Sequence, residues 1–273
     1  MKITVIFTCF NRKEKTLGCI EHLIEGNKAI DFRFVIVDDG STDGTKEALH
    51  TYRYSSMLDI LTTEGNCYYS GGMHLGMERI LKKEKRADYL LMVNDDVQFY
   101  DGSIEQLVQQ SIKKENAVIV GTTCDDDGKQ TYGAIIYNGG FSVRYRTVKR
   151  EENVLCDTFN ANCVLIPYHL FEKTGVMDSH YVHSLGDFDY GLSLKRNGAK
   201  IYSSENFIGV CNRNNVKGTW LDKSLPLKER LKLKESAKGA PAKQWFYFLK
   251  KNFGISKAIV FTVTPYINMI LGR

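Results

Sequence analysis

The sequence predicts an α/β fold: a mostly parallel sheet flanked by helices, then a mixed half, then a basic helical extension. Three observations predict it. Short apolar runs alternate with segments of helical spacing up to about residue 120, the pattern of βαβ units. After residue 130 that alternation gives way to a hairpin signal and a mixed order of strands and helices. From residue 217 the charge changes sign: residues 217–273 hold twelve Lys/Arg and three Asp/Glu, a net of +9, so a whole-chain charge of +5 leaves −4 for residues 1–216.

The elements follow in order. Residues 2–8 read as a first strand, and 13–25 as a helix with Leu17, Ile20, Leu23 and Ile24 on one face. Residues 32–37 form a second strand ending at Asp38-Asp39-Gly40-Ser41, after which Asp43 is placed to cap a helix through Leu49. A short strand at 58–61 precedes a helix at 72–83. Residues 89–93 are an apolar run bounded by the charged stretch 82–86 and by polar groups, which suits a buried strand. A helix at 104–112 and a strand at 117–120 complete the first pattern. Residues 131–137 and 141–147 flank Asn138-Gly139-Gly140 as a hairpin, and 162–167 is a further strand. Helical patterns occupy 168–173 and 187–196. The expected division is a nucleotide-binding half at about 1–98, an acceptor half at about 99–216, and a basic, aromatic extension at 217–273.

Composition excludes several classes. Hydrophobic content of 43% and charged content of 25% fit an ordinary globular chain. The seven cysteines are odd in number, scattered and without a C-x-x-C pair, which argues against a disulfide framework or zinc site and for reduced thiols in a cytoplasmic setting. The apolar run at 3–7 is too short for a signal peptide. Residues 258–271 are fourteen mostly apolar positions, short of the roughly 20 that span a bilayer. Beside Trp245, Phe246, Phe248 and Phe253 they suit either a peripheral anchor on an anionic inner-membrane face or a helix packed on the body. Nothing points to nucleic acid.

The positions of the carboxylates carry the functional signal. The buried run at 89–93 leads into Asn94-Asp95-Asp96, and two ionised carboxylates at a strand end are costly unless a cation neutralises them. A solvated turn is the alternative at that point. Asp38-Asp39 end another strand, Asp187 and Asp189 open a late helix, and Thr8-Cys9-Phe10-Asn11-Arg12 end the first strand with an aromatic ring and a cation. In an open α/β sheet such ends converge on one edge, where ligands bind. Asp43 reads as a cap, Asp125-Asp126-Asp127 as a solvated loop, and His180 and His183 as surface residues. The stretch holding Arg213, Lys217 and Trp220 is either a closing loop or a linker.

At these residues the chain resembles an inverting family 2 glycosyltransferase with the Rossmann-like GT-A fold, of the rhamnosyltransferase-like, polysaccharide-biosynthesis type. The resemblance rests on Thr8–Arg12, on Val37-Asp38-Asp39-Gly40-Ser41-Thr42-Asp43, on Asn94-Asp95-Asp96 as a D-x-D-type motif, and on Gly186-Asp187-Phe188-Asp189 before Arg196-Asn197-Gly198. Asn66-Cys67-Tyr68-Tyr69-Ser70-Gly71-Gly72-Met73 is similar to the family's aromatic–Gly-Gly segment. It covers roughly residues 2–205, with Asn94 in place of the first Asp and Gly186 in place of the usual Glu.

The resemblance implies roles. Thr8, Phe10 and Asp39 hold the base, with Asp39 accepting from a ring N–H, which favours UDP or dTDP. Arg12, Asn66, Gly72 and Asp95 complete the nucleotide site, with Asp95 on the ribose side. Asp96 holds Mn²⁺ or Mg²⁺, which stabilises the departing diphosphate. Asp187 is the expected general base for the acceptor hydroxyl. The implied activity is hexosyl transfer from a nucleotide sugar to a glycan or lipid-linked saccharide. Two alternatives stand beside it: a non-catalytic nucleotide-sugar or glycan-binding protein, and a sugar nucleotidyltransferase, which the absence of glycine at 8–12 disfavours.

Overall fold

The computed structural model describes residues 1–83 and 87–271, so part of the charged run at 82–86 and the last two residues lie outside it. In chain order the elements of the first half are β1 (Lys2–Cys9), α1 (Lys13–Gly26), β2 (Asp31–Asp38), α2 (Thr45–Thr51), β3 (Leu58–Thr62), α3 (Tyr68–Lys83) and β4 (Tyr89–Val93). There follow β5 (Gln98–Phe99), α4 (Ser103–Lys113), β6 (Val118–Cys124), β7 (Ala134–Tyr137), β8 (Tyr145–Thr147), β9 (Thr158–Phe159), β10 (Cys163–Pro167), α5 (Tyr168–Thr174) and α6 (Gly186–Arg196). The chain then forms β11 (Ile201–Val210), α7 (Leu227–Lys234), α8 (Ala242–Phe253) and α9 (Ile255–Ile270).

The main sheet runs β3-β2-β1-β4-β10-β6-β11-β5. β1 to β4 are mutually parallel, as the alternation predicts. β10 then enters antiparallel between β4 and β6, and β11 lies parallel to β6. The two expected halves therefore share one sheet. Every residue of β4 is buried, because helices cover both faces of a central strand and leave no solvated side to alternate with. One layer of core packs Leu23, Phe34 and Leu107 against one face, and another packs Met73, Met77 and Phe171 against the other.

Three departures from the expected elements have local causes. The hairpin forms, but as short β7 and β8 closed by the Asn138 N–H donating to Arg144 O at 2.9 Å, with Gly139 and Gly140 at positive φ. α3 starts at Tyr68, so Gly71 and Gly72 lie inside the helix rather than in a turn before it. A Cβ on Gly72 would come within 2.6 Å of Thr8 Oγ1, and one on Gly76 within 2.7 Å of Ile6 Cδ1, so these glycines let α3 lie directly on β1. β11, β5 and β9 carry no periodic apolar signal; β11 is interrupted by register shifts around Phe207, and the other two are two residues long.

The extension divides in two. α8 packs on the body, with Phe248 and Leu249 buried beside Tyr181, Leu185 and Phe188. α9 buries Ala258 and Met269 but turns Ile259, Val263, Ile267 and Ile270 to solvent. No helix among the described residues is long and apolar enough to cross a membrane.

Candidate active site

The ends of β1, β2 and β4 open into a cavity of about 800 Å³, whose far wall is built by the loop before α6, the β7–β8 hairpin and α8. Of the residues expected to bind nucleotide or metal or to catalyse, Thr8, Phe10, Arg12, Asp39, Asn66, Asp95, Asp96 and Asp187 line it. Gly72 is not among the residues lining this cavity, and it packs directly against Thr8. The Gly/Asn-rich stretch contributes Asn214, whereas Arg213, Lys217 and Trp220 stay off the wall.

Asp95 is buried at the end of β4. Arg12 Nη1 donates to Asp95 Oδ1 at 3.1 Å and Thr16 Oγ1 to Asp95 Oδ2 at 2.9 Å, so both oxygens are engaged. Burial raises its pKa, against the pull of Arg12 and the Thr16 hydroxyl. The same Arg12 nitrogen donates to Asp96 Oδ2 at 3.1 Å, while Asp96 Oδ1 meets only the Cys211 thiol, at 3.8 Å. Asp96 is thus the more available of the pair. No cluster of three or more His, Cys, Asp or Glu that could hold a metal occurs among the described residues. The donor set fits Mg²⁺ or Mn²⁺ in the mode that uses one or two carboxylates and completes its shell with substrate phosphates and water.

Asp39 accepts from Thr63 Oγ1 at 2.7 Å, the Cys67 N–H at 3.0 Å and the Tyr68 N–H at 2.7 Å. These bonds hold a turn in which Asn66 and Tyr68 adopt φ of 69° and 54°, a left-handed region that non-glycine residues rarely occupy. A carboxylate offers about four acceptor positions, and these three bonds use three of them. Asp43 accepts from the Lys13 and Thr45 N–H groups at 3.0 Å each, tying the starts of α1 and α2 as a cap does.

Asp187 sits in the first turn of α6, just after Leu185 at φ 72°. Its oxygens accept from the Ala161 N–H at 3.2 Å and the Phe188 N–H at 2.9 Å, and no cation pairs with it among the described residues. Desolvation outweighs those bonds and pushes its pKa up to about 6. The glycine in place of Glu before it has a physical cause: a Cβ on Gly186 would overlap Ser70 Oγ and come within 2.6 Å of Met177 Sδ. Asp189 points away from this carboxylate and is almost fully buried. Lys251 Nζ, from α8, donates to it at 2.7 Å, and Asn252 Nδ2 at 2.8 Å.

Several wall residues were not expected. His183 lines the cavity instead of the surface, with its Nδ1 buried and without a partner. Burial, and then the nearby Lys238 and Arg12, lower its pKa and favour the neutral ring. Tyr69, Trp245 and Phe248 also face the cavity. Tyr69 belongs to a motif already visible in the sequence, and Trp245 and Phe248 stood out only as aromatic residues in a basic tail. His180 is exposed as expected, stacked on Tyr247 at 4.1 Å.

Fold and cavity together define a GT-A-type sugar-nucleotide fold, with carboxylates at the strand ends and an ionisable carboxylate across from them. The profile described as glycosyl transferase family 2 matches residues 4–166, and the chain belongs to that family. Asp187 lies beyond the matched segment. GlyG, a glycosyltransferase of Streptococcus pneumoniae, is 21% identical over 184 residues, covering 66% of this chain and 59% of that protein. The poly(ribitol-phosphate) beta-glucosyltransferase of Bacillus spizizenii is 24% identical over 234 residues, 77% of this chain but 36% of its own length. The chain therefore spans only part of these relatives. Among solved structures, a Pyrobaculum calidifontis mannosyltransferase in complex with GDP-Man and Mn²⁺ superposes with TM-score 0.60 at 12% identity, covering 97% of this chain and 74% of that one. Residues 1–349 of S. aureus TarS superpose with TM-score 0.58 at 14% identity, covering 99% and 81%. These two likenesses establish the fold.

Proposed function

We propose that the protein is an inverting, metal-dependent glycosyltransferase that moves a sugar from a nucleoside-diphosphate sugar to a hydroxyl of a glycan or lipid-linked acceptor in cell-surface polysaccharide or teichoic acid synthesis. The observation that carries this reading is Asp187, a carboxylate without a cation, raised to about 6 and lining the same cavity as Asp95 and Asp96. A group of that kind is ionised at neutral pH and basic enough to take the proton of an attacking hydroxyl. Attack from its side of the cavity, opposite the leaving diphosphate, inverts the anomeric carbon.

Asp96, with Asp95 behind it, would hold the cation, which when bound stabilises charge on the leaving diphosphate as a Lewis acid. Arg12 bridges the two carboxylates and is placed to meet phosphate oxygens as well. Thr8, Phe10, Asn66 and Asp39 form the base and ribose side. The one acceptor position left on Asp39 suits a ring N–H and so favours UDP or dTDP. The Bacillus spizizenii relative is named as a poly(ribitol-phosphate) beta-glucosyltransferase, which supports a polyol-phosphate acceptor. The seven unpaired cysteines suit a reducing, cytoplasmic site of action, and the outward apolar stripe of α9 suits peripheral contact with an anionic membrane face.

A binding protein without activity has no use for a carboxylate poised near neutral pH. The deciding experiment is a thermal-shift screen of nucleotide sugars with and without Mn²⁺, followed by transfer assays with the best donor. A donor that stabilises the protein only with metal, and whose sugar is then transferred, meets the proposal. Stabilisation with no transfer to any hydroxyl, water included, leaves the binding-protein reading.

A further inference from the structure

The extension does more than cover the sheet, because α8 supplies part of the cavity wall opposite the strand ends. Trp245 and Phe248 face the same space as Asp187. Their rings stack, with centroids 5.5 Å apart and planes 14° from parallel. The Trp245 ring is also fixed at its polar end. Pro265 has no N–H to give the carbonyl four residues earlier in α9, and Trp245 Nε1 donates to that carbonyl, Phe261 O, at 2.9 Å. With its N–H used inside the protein, Trp245 offers the cavity an apolar surface.

The wall also holds two buried polar atoms with no protein partner, the Tyr69 hydroxyl and His183 Nδ1. Buried polar atoms are nearly always hydrogen-bonded, so a side-chain movement that opens either atom to the cavity would give a hydroxyl-bearing ligand a partner there. The position of α8 is set from beneath the catalytic helix. Lys251 donates to Asp178 and Asp189 at 2.7 Å each, and Asp189 lies two residues beyond Asp187 on α6. These bonds tie the wall helix to the helix that carries the candidate base.

We infer that the extension completes the acceptor subsite. Trp245 is a specificity-determining wall for a sugar or polyol chain, and the Tyr69 hydroxyl and His183 Nδ1 are its hydrogen-bonding partners. A sugar or polyol presents C–H surface to an aromatic ring and hydroxyls to polar atoms at its edge, which is the combination this wall provides. The inference rests on the glycosyltransferase reading above, in which the acceptor hydroxyl must lie beside Asp187.

The chain has two tryptophans, so Trp220→Phe leaves Trp245 as the sole indole reporter. In that background, Trp245 emission is titrated with a ribitol-phosphate oligomer, a glycerol-phosphate oligomer and a β-glucoside oligosaccharide, each in the presence of UDP. A saturable change with at least one probe is expected, and no change with any of the three overturns the inference. In transfer assays Trp245→Ala is expected to raise the acceptor KM at least tenfold while the calorimetric Kd for UDP or dTDP changes less than twofold. Equal weakening of nucleotide binding would assign the wall to the donor and sink the proposal. Trp245→Phe keeps the ring, should recover most of the acceptor KM, and carries the test if the alanine variant does not fold. A wild-type protein that binds neither nucleotide defeats the glycosyltransferase reading instead, and that result is independent of the Trp245 titration.

Discussion

Replacing Asp187 by Asn should abolish transfer and, at the same time, stabilise the fold at neutral pH. Burial moves this carboxyl from an ordinary value of 3.8 up to about 6. At 1.36 kcal/mol per pH unit that interval corresponds to about 3 kcal/mol. The sign follows from which state binds more protons. Between pH 4 and 6 the folded state keeps the proton and the unfolded chain has lost it, so folding stability falls as pH rises through that window and stays lower above it. Asn removes the ionisation, but its amide cannot accept from both the Ala161 and Phe188 N–H groups, which costs about 1–2 kcal/mol at all pH values. The difference in stability between variant and wild type should therefore move in favour of the variant by about 2 kcal/mol between pH 4.5 and pH 8. Urea unfolding across that range measures it directly. Wild-type kcat/KM should fall about tenfold per unit below pH 6, with nucleotide affinity in the variant retained. A stability difference that is flat with pH, or transfer surviving in the variant at near wild-type rate, refutes the reasoning.

Other perturbations test the framework. Asp96→Ala should remove the metal-dependent part of nucleotide affinity, and calorimetry showing the same Mn²⁺-dependent Kd as wild type would contradict its assignment. Gly186→Ala should cost about 1–3 kcal/mol, read as a lowered urea midpoint, because its Cβ must displace Ser70 or Met177. Lys251→Met leaves Asp189 buried without its cation and should cost about 3 kcal/mol; an unaltered midpoint would show that Asn252 alone suffices. The pair Ile259→Glu and Val263→Glu lies on the outward face of α9, so it should leave the melting temperature nearly unchanged yet abolish sedimentation with anionic liposomes.

What could be read from the sequence was whatever one local pattern encodes. An uninterrupted apolar run ending in two acids announces β4 and its carboxylates, and the polar ends of β1, β2 and β4 in parallel order announce the cavity edge. The other wall was harder to see, because His183, Tyr145 and Trp245 come from a loop, a hairpin and a distant helix that only tertiary packing brings together. β11 was hidden by Ser203-Ser204-Glu205-Asn206, a polar stretch at its register shift. The early start of α3 was hidden by Gly71 and Gly72, poor helix formers kept by their closeness to β1. The three internal bonds of Asp39 could not be foreseen either, since the turn it holds depends on Asn66 and Tyr68 taking left-handed backbone angles.

The arrangement of carboxylates sets Asp187 apart from the other acids of the cavity. Asp95 and Asp96 share Arg12, and Asp189 holds Lys251. Each of these three acids is buried or half-buried and has a cation that favours its charge. Asp187 lies within two residues of Asp189 and across the cavity from Asp95, yet is held only by two backbone N–H groups. Those bonds orient its oxygens without offsetting its desolvation, so its pKa is carried up to about 6. Exchanging the environments would be self-defeating. A lysine beside Asp187 would hold it ionised but too weakly basic to take a hydroxyl proton, and unpaired acids at 95 and 96 would repel each other at the strand end. The helix that carries Asp187 also explains why Asp189 takes the cation. On α6 it pairs with Lys251 and Asn252 of α8 and does not line the cavity, so one short segment presents an unpaired acid to the cavity and a paired acid to the packing side.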